Sequence, residues 1–222
     1  SNSIYNKFKI EFPNILNIGG ISNITMIEKN RDFLINNIEA FDIGPGNCLI
    51  DTWVRNYSNK KYDKDGFFAS CGKKNEIIIE QAQELYVNRL SKEKLSFDTN
   101  DFDISFARGL SLEDGVATLT EFTANIISEE LLYNLNNNSK KIINILVCGG
   151  GRKNSILIKK IKKNLPEKIK IKSIDDYGIK GDFVESQAFA YLTIRSILKL
   201  PISFPKTTGC AKPNSGGEWI DG

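Results

Sequence analysis

Histidine is absent from all 222 residues, and that absence removes whole classes of chemistry. Ser-His-Asp and Cys-His catalysis cannot be built without it. Zinc sites of the common His-containing kinds are excluded too. Acid–base work near neutral pH must fall to carboxylates, Lys, Tyr or Cys. Cysteine is sparse, with thiols standing alone at Cys48, Cys71, Cys148 and Cys210. None forms a C-x-x-C pair, so neither a metal knuckle nor a redox motif is indicated. Isolated thiols in a chain of this size fit a reducing, cytoplasmic compartment. No apolar stretch approaches the ~18 residues of a membrane span, and the first residues do not read as a signal peptide. The first residue is Ser1 rather than Met, so a processed form, a fragment or an expressed piece is expected. An excess of one charge is missing as well: 30 basic residues stand against 27 acidic, for a net +3. A nucleic-acid footprint would be more basic and more clustered.

What is present suffices for a packed core, since 41% of the residues are hydrophobic. Wholesale disorder is therefore not expected. A chain of this length buries roughly 70–75% of its unfolded surface and needs neither disulfide nor metal for stability. Length alone suggests one or two domains.

The first third reads as strands over residues 15–18, 23–28 and about 38–43, short runs rich in β-branched residues. Asn30-Arg31-Asp32 and Asn36-Asn37 supply turn chemistry, and residues 33–35 offer an extra strand piece. Gly44-Pro45-Gly46 breaks the pattern, and Leu49, Ile50, Trp53 and Val54 then recur at helical spacing over residues 47–57. Residues 62–72 are polar and turn-rich, residues 75–90 look helical, and residues 91–103 read as an exposed loop. Ser111-Leu-Glu-Asp114 has capping-box form. A long amphipathic run comes next, with Val116, Leu119, Phe122, Ile126 and Ile127 on one face. After an Asn/Ser/Lys loop at 134–140 come a strand at 142–148, a basic helix at 153–164, a strand at 168–174 and a helix at 182–198. The last helix has Phe183, Val184, Ala188, Tyr191, Leu192 and Ile194 as its apolar face. Three sequential strands imply an antiparallel meander, and β-α-β-α implies parallel additions by right-handed crossovers. The expected fold is α/β: a mixed five-stranded sheet with an antiparallel three-strand meander flanked by helices, the ribonuclease-H-like plan.

Three glycine turns and one acid stand out. In Leu16-Asn-Ile-Gly-Gly-Ile-Ser-Asn-Ile-Thr25, Gly19 and Gly20 let a phosphate approach the backbone, where successive N–H groups can form an anion nest. A plain hairpin turn is the alternative. In Phe41-Asp-Ile-Gly-Pro-Gly-Asn47, Asp42 precedes a glycine turn and a helix start, a setting that favours anions. Asp42 could serve as a general base or hydrogen-bond its own turn. In Val147-Cys-Gly-Gly-Gly-Arg-Lys-Asn154, Gly149, Gly150 and Gly151 form a flat shelf for an adenine, with Asn154 near the helix start. A tight turn with Asn154 as cap is the other reading, although triple glycine is costly in chain entropy for a mere connection. Asp182 and Glu185 have an N-cap-to-N3 relation, favoured as structural, with Glu185 facing the cleft as the alternative. The acidic turn Tyr62-Asp-Lys-Asp-Gly66 reads as structural when taken alone.

These blocks occur in order with Gly109-Leu-Ser-Leu-Glu-Asp-Gly115, Gly181-Asp-Phe-Val-Glu-Ser-Gln-Ala-Phe-Ala190 and Pro201-Ile-Ser-Phe-Pro-Lys-Thr-Thr-Gly209. Together they resemble the C-terminal lobe of the anhydro-N-acetylmuramic acid kinase family, one of the actin, hexokinase and Hsp70-like ATPases. The likeness runs from about Asn14 to about Gly217. It implies one ribonuclease-H-like lobe over 1–222, with the N-terminal lobe absent and ATP bound in a cleft between two lobes. It further implies that water opens the 1,6-anhydro ring of anhydro-N-acetylmuramic acid while ATP phosphorylates O6, in peptidoglycan recycling. By the same resemblance Asp42 is the base, and Gly19, Gly20, Gly44 and Gly46 lie near the ATP phosphates. Gly149, Gly150, Gly151 and Asn154 lie near the adenosine. Asn23, Asn47 and Glu185 lie near the amino sugar. Mg2+ is carried mainly by the nucleotide, as is usual in phosphoryl transfer, and no protein metal site is expected.

Departures from the family are visible. Ile43 stands where the family has Thr, which predicts loss of a hydroxyl near phosphate or water. Leu95, in Glu93-Lys-Leu-Ser96, stands at an expected Lys, and residues 218–222 fit poorly. The G-x-S-x-D-G phosphate loop of the N-terminal lobe does not occur. A truncated, inactive nucleotide-binding or interaction module, or a kinase of a related amino sugar, are the competing readings. The expected partners are an amino sugar and the missing lobe, with no nucleic acid and no membrane. The face toward that lobe is expected to expose apolar surface and to promote a homodimer.

Overall fold

The computed structural model of the chain describes residues 14–27, 38–90, 96–135 and 142–218, with the side chains of 87–90 outside that description. In β1 (Asn14–Ile18), Leu16 and Ile18 are buried between less buried neighbours. In β2 (Ile21–Ile27), Ser22 and Ile24 continue the alternation. A period of two is what a strand covered mainly on one face requires. β3 (Ile38–Pro45) is buried at its end, from Ile43 to Pro45. The break at Gly44-Pro45 therefore comes later than the composition indicates, because the strand runs through both residues. β1 pairs antiparallel with β2, and β2 with β3. β4 (Ile143–Cys148) pairs parallel with β1, and β5 (Ile169–Ser173) parallel with β4. The sheet order is β3-β2-β1-β4-β5, which is the expected ribonuclease-H-like plan.

Among the described residues the helices are α1 (Cys48–Tyr57), α2 (Phe67–Cys71), α3 (Glu76–Leu90), α4 (Leu112–Asn134), α5 (Ser155–Asn164), α6 (Val184–Ile197) and α7 (Pro205–Thr208). Helix α4 is the spine. Its Ala124, Ile127 and Leu131 join Leu16, Ile18, Ile24, Ile145 and Val147 of the sheet and Leu157 of α5. Its Val116, Leu119, Phe122 and Ile126 join Leu49, Trp53 and Val54 of α1 and Tyr86 of α3. A helix apolar on so much of its circumference must lie between two packed layers. Ser111 caps it, accepting from the Asp114 N–H at 3.1 Å.

Two expected boundaries shift for local reasons. The helix expected from residue 153 begins at Ser155, because Gly150–Lys153 form a 3-10 turn and Asn154 then caps α5. The strand expected to reach residue 174 stops at Ser173, which caps another 3-10 turn over Ile174–Tyr177.

The last helix departs most from expectation. No residue of α6 is buried. Phe183, Tyr191 and Ile194 are 54%, 59% and 56% exposed. Periodicity identifies residues that share a face, and nothing in it supplies a partner for that face. Bonds from α6 run to the tail beyond it, with Arg195 Nε donating to Pro201 O and Ser196 Oγ to Gly216 O. The expected features at 30–37, 93–95, 136–140 and 219–222 lie outside the described residues.

Candidate active site at the strand ends

Two of the glycine turns are stitched directly together. The Gly46 and Cys48 N–H groups donate to Gly20 O at 2.8 and 3.1 Å, and the Asn47 N–H donates to Gly19 O at 2.8 Å. Asn47 Nδ2 donates to Gly19 O at 3.1 Å. Ser22 Oγ adds a buried bond to Pro45 O at 3.1 Å. The Gly46, Asn47 and Cys48 amides are thus satisfied by the neighbouring turn, as buried backbone groups require. These three amides fasten one turn to the other. A Cβ at Gly46 would lie 2.3 Å from Gly19 O, so only glycine permits this approach.

The third turn joins the same point. A Cβ at Gly149, where φ is +78°, would meet Asn17 Oδ1 at 2.4 Å. One at Gly151 would meet the Ile18 side chain at 2.2 Å. Both glycines are explained by packing on β1. Gly150 differs: it is exposed, and its nearest neighbour would be Asn47 Nδ2 at 3.7 Å. Gly20 is exposed as well, with the Thr99 methyl group 3.4 Å from its Cβ position. Gly20 and Gly150 therefore form an open rim around Asn47. Gly44, at φ +139°, turns inward against Ile126 and Tyr86. Asn154 is buried and accepts from the Leu157 N–H at 3.0 Å, which is the capping geometry.

Asp42 is half-buried on β3, opposite Asn23 of β2 and beside a register irregularity at Ser22/Asn23. Its Oδ2 accepts from the Phe97 N–H at 2.8 Å, so its bonded partner comes from a distant segment and not from its own turn. Ile43, the next residue, is 1% exposed and packs among Leu16, Ile18 and Ile24. Strand alternation directs residue 43 away from Asp42. The expectation that a hydroxyl is lost from the site at this position is corrected: the side chain faces the core.

Glu185 is exposed in the first turn of α6. The Asp182–Glu185 capping pair does not form, because Phe183 is the N-cap and no side chain caps there. Asp182 instead pairs with Arg152 at 2.9 Å and with Lys153 at 2.7 Å. Arg152 is a residue that sequence reasoning missed. Its guanidinium also donates from Nε to Asp175 at 2.6 Å and from Nη1 to Gly149 O at 2.9 Å. Its side chain is 5% exposed. The Arg152 hydrogen bonds hold the Asp175 carboxyl well below the usual range. Only the succession Gly151-Arg152 beside a glycine turn hinted at it, and no spacing rule links Arg152 to Asp175 or Asp182.

The acidic turn is built into the fold. Asp63 is buried and accepts from the Phe68 and Ala69 N–H groups at 2.8 and 3.2 Å. Burial pushes its carboxyl upward. Ser155 Oγ donates to Asp65 O at 3.0 Å, which docks the turn on α5. Beside it opens a groove of about 670 Å³ lined by Lys60, Tyr62, Lys64 and Ser155. Among the described residues no helix is long and apolar enough to cross a membrane.

The sequence profile of the family described as anhydro-N-acetylmuramic acid kinase matches residues 5–220. A relative of that name from Pelagibacter ubique (strain HTCC1062) is 51% identical over 218 residues, covering 97% of this chain and 57% of the relative. One from Zymomonas mobilis subsp. mobilis is 39% identical over 204 residues, covering 91% and 53%. One from Caulobacter vibrioides is 37% identical over 205 residues, covering 92% and 52%. The chain thus spans about half the length of these relatives. A solved structure of the activator of the 2-hydroxyisocaproyl-CoA dehydratase from Clostridium difficile, with bound ADPNP, is 16% identical. The likeness covers 73% of this chain and 54% of that one, at a TM-score of 0.41. With a family match over nearly its whole length, the chain belongs to the anhydro-N-acetylmuramic acid kinase family.

Proposed function

We propose that the chain is the C-terminal lobe of a kinase that opens and phosphorylates anhydro-N-acetylmuramic acid. The observation that carries this reading is that Asp42, level with Asn23, Asn17 and Cys148 on neighbouring strands, lies at the same end of the sheet as the three glycine turns, within a chain of this family. Asp42 takes a proton from water as the water oxygen bonds to C1 of the sugar. The C1–O6 bond breaks, O6 bonds to the γ-phosphorus of ATP, and ADP leaves. The product is N-acetylmuramic acid 6-phosphate. One positioned base and fixed backbone dipoles suffice for such a step, and histidine is not needed.

The phosphates are assigned to the side of Gly19, Gly20, Gly44 and Gly46, with exposed Gly20 as the nearest approach. The adenosine is assigned to Gly149, Gly150, Gly151 and Asn154, with exposed Gly150 as the open surface. The amino sugar is assigned to Asn23, Asn47 and Glu185. Among the described residues no group of three Cys, Asp or Glu side chains is gathered to cage a metal. A Mg2+ carried on the nucleotide phosphates would neutralise charge during transfer. An N-terminal lobe of the same kinase completes the cleft. The exposed apolar residues of α6 support self-association into a homodimer when that lobe is absent. Free thiols fit a cytoplasmic setting.

The test is turnover of 1,6-anhydro-N-acetylmuramic acid with Mg-ATP. The chain is assayed alone and with the N-terminal portion of the Pelagibacter ubique relative. Little or no turnover is expected alone, and turnover is expected with the added portion. Activity that survives Asp42→Asn unchanged sinks the base assignment. No turnover in either arrangement favours an inactive module.

A further inference from the structure

We propose that Asp98 is a positioning residue for Asp42, acting through the backbone N–H of Phe97. The proposal rests on the reading of Asp42 as the base. A carboxylate at a strand end can rotate about its side-chain bonds. A charge-assisted N–H bond to one oxygen fixes its plane. For Asp42 that bond is the 2.8 Å contact from Phe97, which lies 55 positions along the chain. The orientation of the acid is therefore set by whatever holds Phe97.

A short reciprocal device does so. Asp98 Oδ1 accepts from the Asn100 N–H at 2.9 Å. The Asp98 N–H donates to Asp101 Oδ2 at 2.7 Å. The Asp101 N–H returns to Asp98 O at 3.0 Å. This is a capping box closed around the 3-10 turn Thr99–Asp101. It fixes the backbone immediately after the N–H that Asp42 uses.

The turn is anchored on both sides. The Phe97 and Phe102 rings bracket it with centroids 5.4 Å apart. Phe102 rests on Tyr86 at 5.8 Å, and Tyr86 meets Phe122 of α4 edge-on at 5.8 Å. The same segment reaches the first glycine turn, where the Thr99 methyl group lies 3.4 Å from the Gly20 Cβ position. One turn thus touches the acid and the exposed glycine while its footing is the second hydrophobic core. Asp98 and Asp101 are exposed, so their bonds shape the turn without filling the core. A displacement of about 1 Å at a catalytic group costs on the order of 100-fold in rate.

The experiment compares Asp98→Ala and Asp98→Asn in the chain supplied with the N-terminal portion of the Pelagibacter ubique relative. Asp98→Ala is expected to lower kcat about 10- to 100-fold. KM for both substrates and the Kd for ATP stay within about twofold, because the binding groups are untouched. Asp98→Asn retains an oxygen that accepts from Asn100 and restores most of the rate. A kcat within twofold of the parent in Asp98→Ala overturns the proposal, as does a change confined to KM. Hydrogen exchange at the Phe97 amide supplies a readout independent of turnover. Its protection should fall in both Asp98→Ala and Asp42→Ala and persist in Asp98→Asn. If the parent itself does not turn over, the kinase-lobe reading fails, and the Phe97 exchange alone decides the positioning link. Unchanged Phe97 exchange in Asp98→Ala overturns the positioning link whatever the activity.

Discussion

Arg152 and Asp182 meet at 2.9 Å across 30 positions of sequence, and their contact ties the third glycine turn to the start of the last helix. The same guanidinium holds Gly149 O and Asp175, and the Cβ position of Gly181 lies 2.4 Å from its Nε. Arg152→Ala removes all of these bonds at a side chain that is 5% exposed. The acids stay half in water, which limits the loss to about 1–2 kcal/mol in chemical denaturation. Arg152→Lys recovers little, because an ammonium cannot reproduce the planar fork. The Asp175 carboxyl is depressed by Arg152. Its contribution is therefore full above the ordinary aspartate value of ~3.9 and is lost as pH falls toward the depressed one. Arg152→Ala should flatten that acid-side slope.

Gly46 and Gly150 should respond differently to the same substitution. Gly46→Ala places a methyl group 2.3 Å from Gly19 O and forces the two turns apart. A loss of about 1–3 kcal/mol is expected from such overpacking. Gly150→Ala meets nothing closer than 3.7 Å, so unfolding free energy should change by no more than about 0.5 kcal/mol. Its effect should appear in ATP titration, as weakened affinity. Equal affinity in Gly150→Ala and parent would remove Gly150 from the nucleotide surface.

Ile43→Thr should not improve turnover. The side chain packs with Leu16, Ile18 and Ile24, so the substitution buries a hydroxyl in an apolar cluster. A loss of about 1–3 kcal/mol is expected for an unpaired hydroxyl. Urea denaturation measures it, and a gain in kcat with unchanged stability would show that the hydroxyl reaches the site.

Asp51 provides a pH dependence with a definite sign. Burial pushes its carboxyl up to about 6. The folded state therefore binds the proton more tightly than the unfolded chain, whose value is ~3.9. This group favours folding most below the unfolded value, and the advantage fades as pH rises to about 6. Asp51→Asn should raise Tm at pH 7.5 and leave it nearly unchanged at pH 4. A gain of equal size at both values would assign the effect to packing.

Much of the fold was legible because its signals are local. Alternating Leu16 and Ile18 mark β1, and the helical recurrence of Leu49, Ile50, Trp53 and Val54 marks α1. Ser111 caps α4 and Asn154 caps α5. The glycine turns were visible as breaks in those patterns. What each glycine does was not visible, because Gly46 answers to a carbonyl and Gly151 to the Ile18 side chain. Arg152, Phe97 and Asp98 gave no comparable signal. Their partners are fixed by how segments cross at the sheet edge, and no period relates residue 42 to residue 97.

The order of strands and helices, the positions of the glycine turns and the exclusion of histidine chemistry can be read along the chain. These depend on backbone propensity, periodicity and residue type, which act over a few neighbouring residues. Three outcomes came from packing: Ile43 faces the core, the Gly46, Asn47 and Cys48 amides fasten one turn to another, and Asp42 is held by Phe97. Those outcomes depend on which surfaces meet once apolar burial has packed the sheet against α4, and a linear pattern carries no record of that meeting.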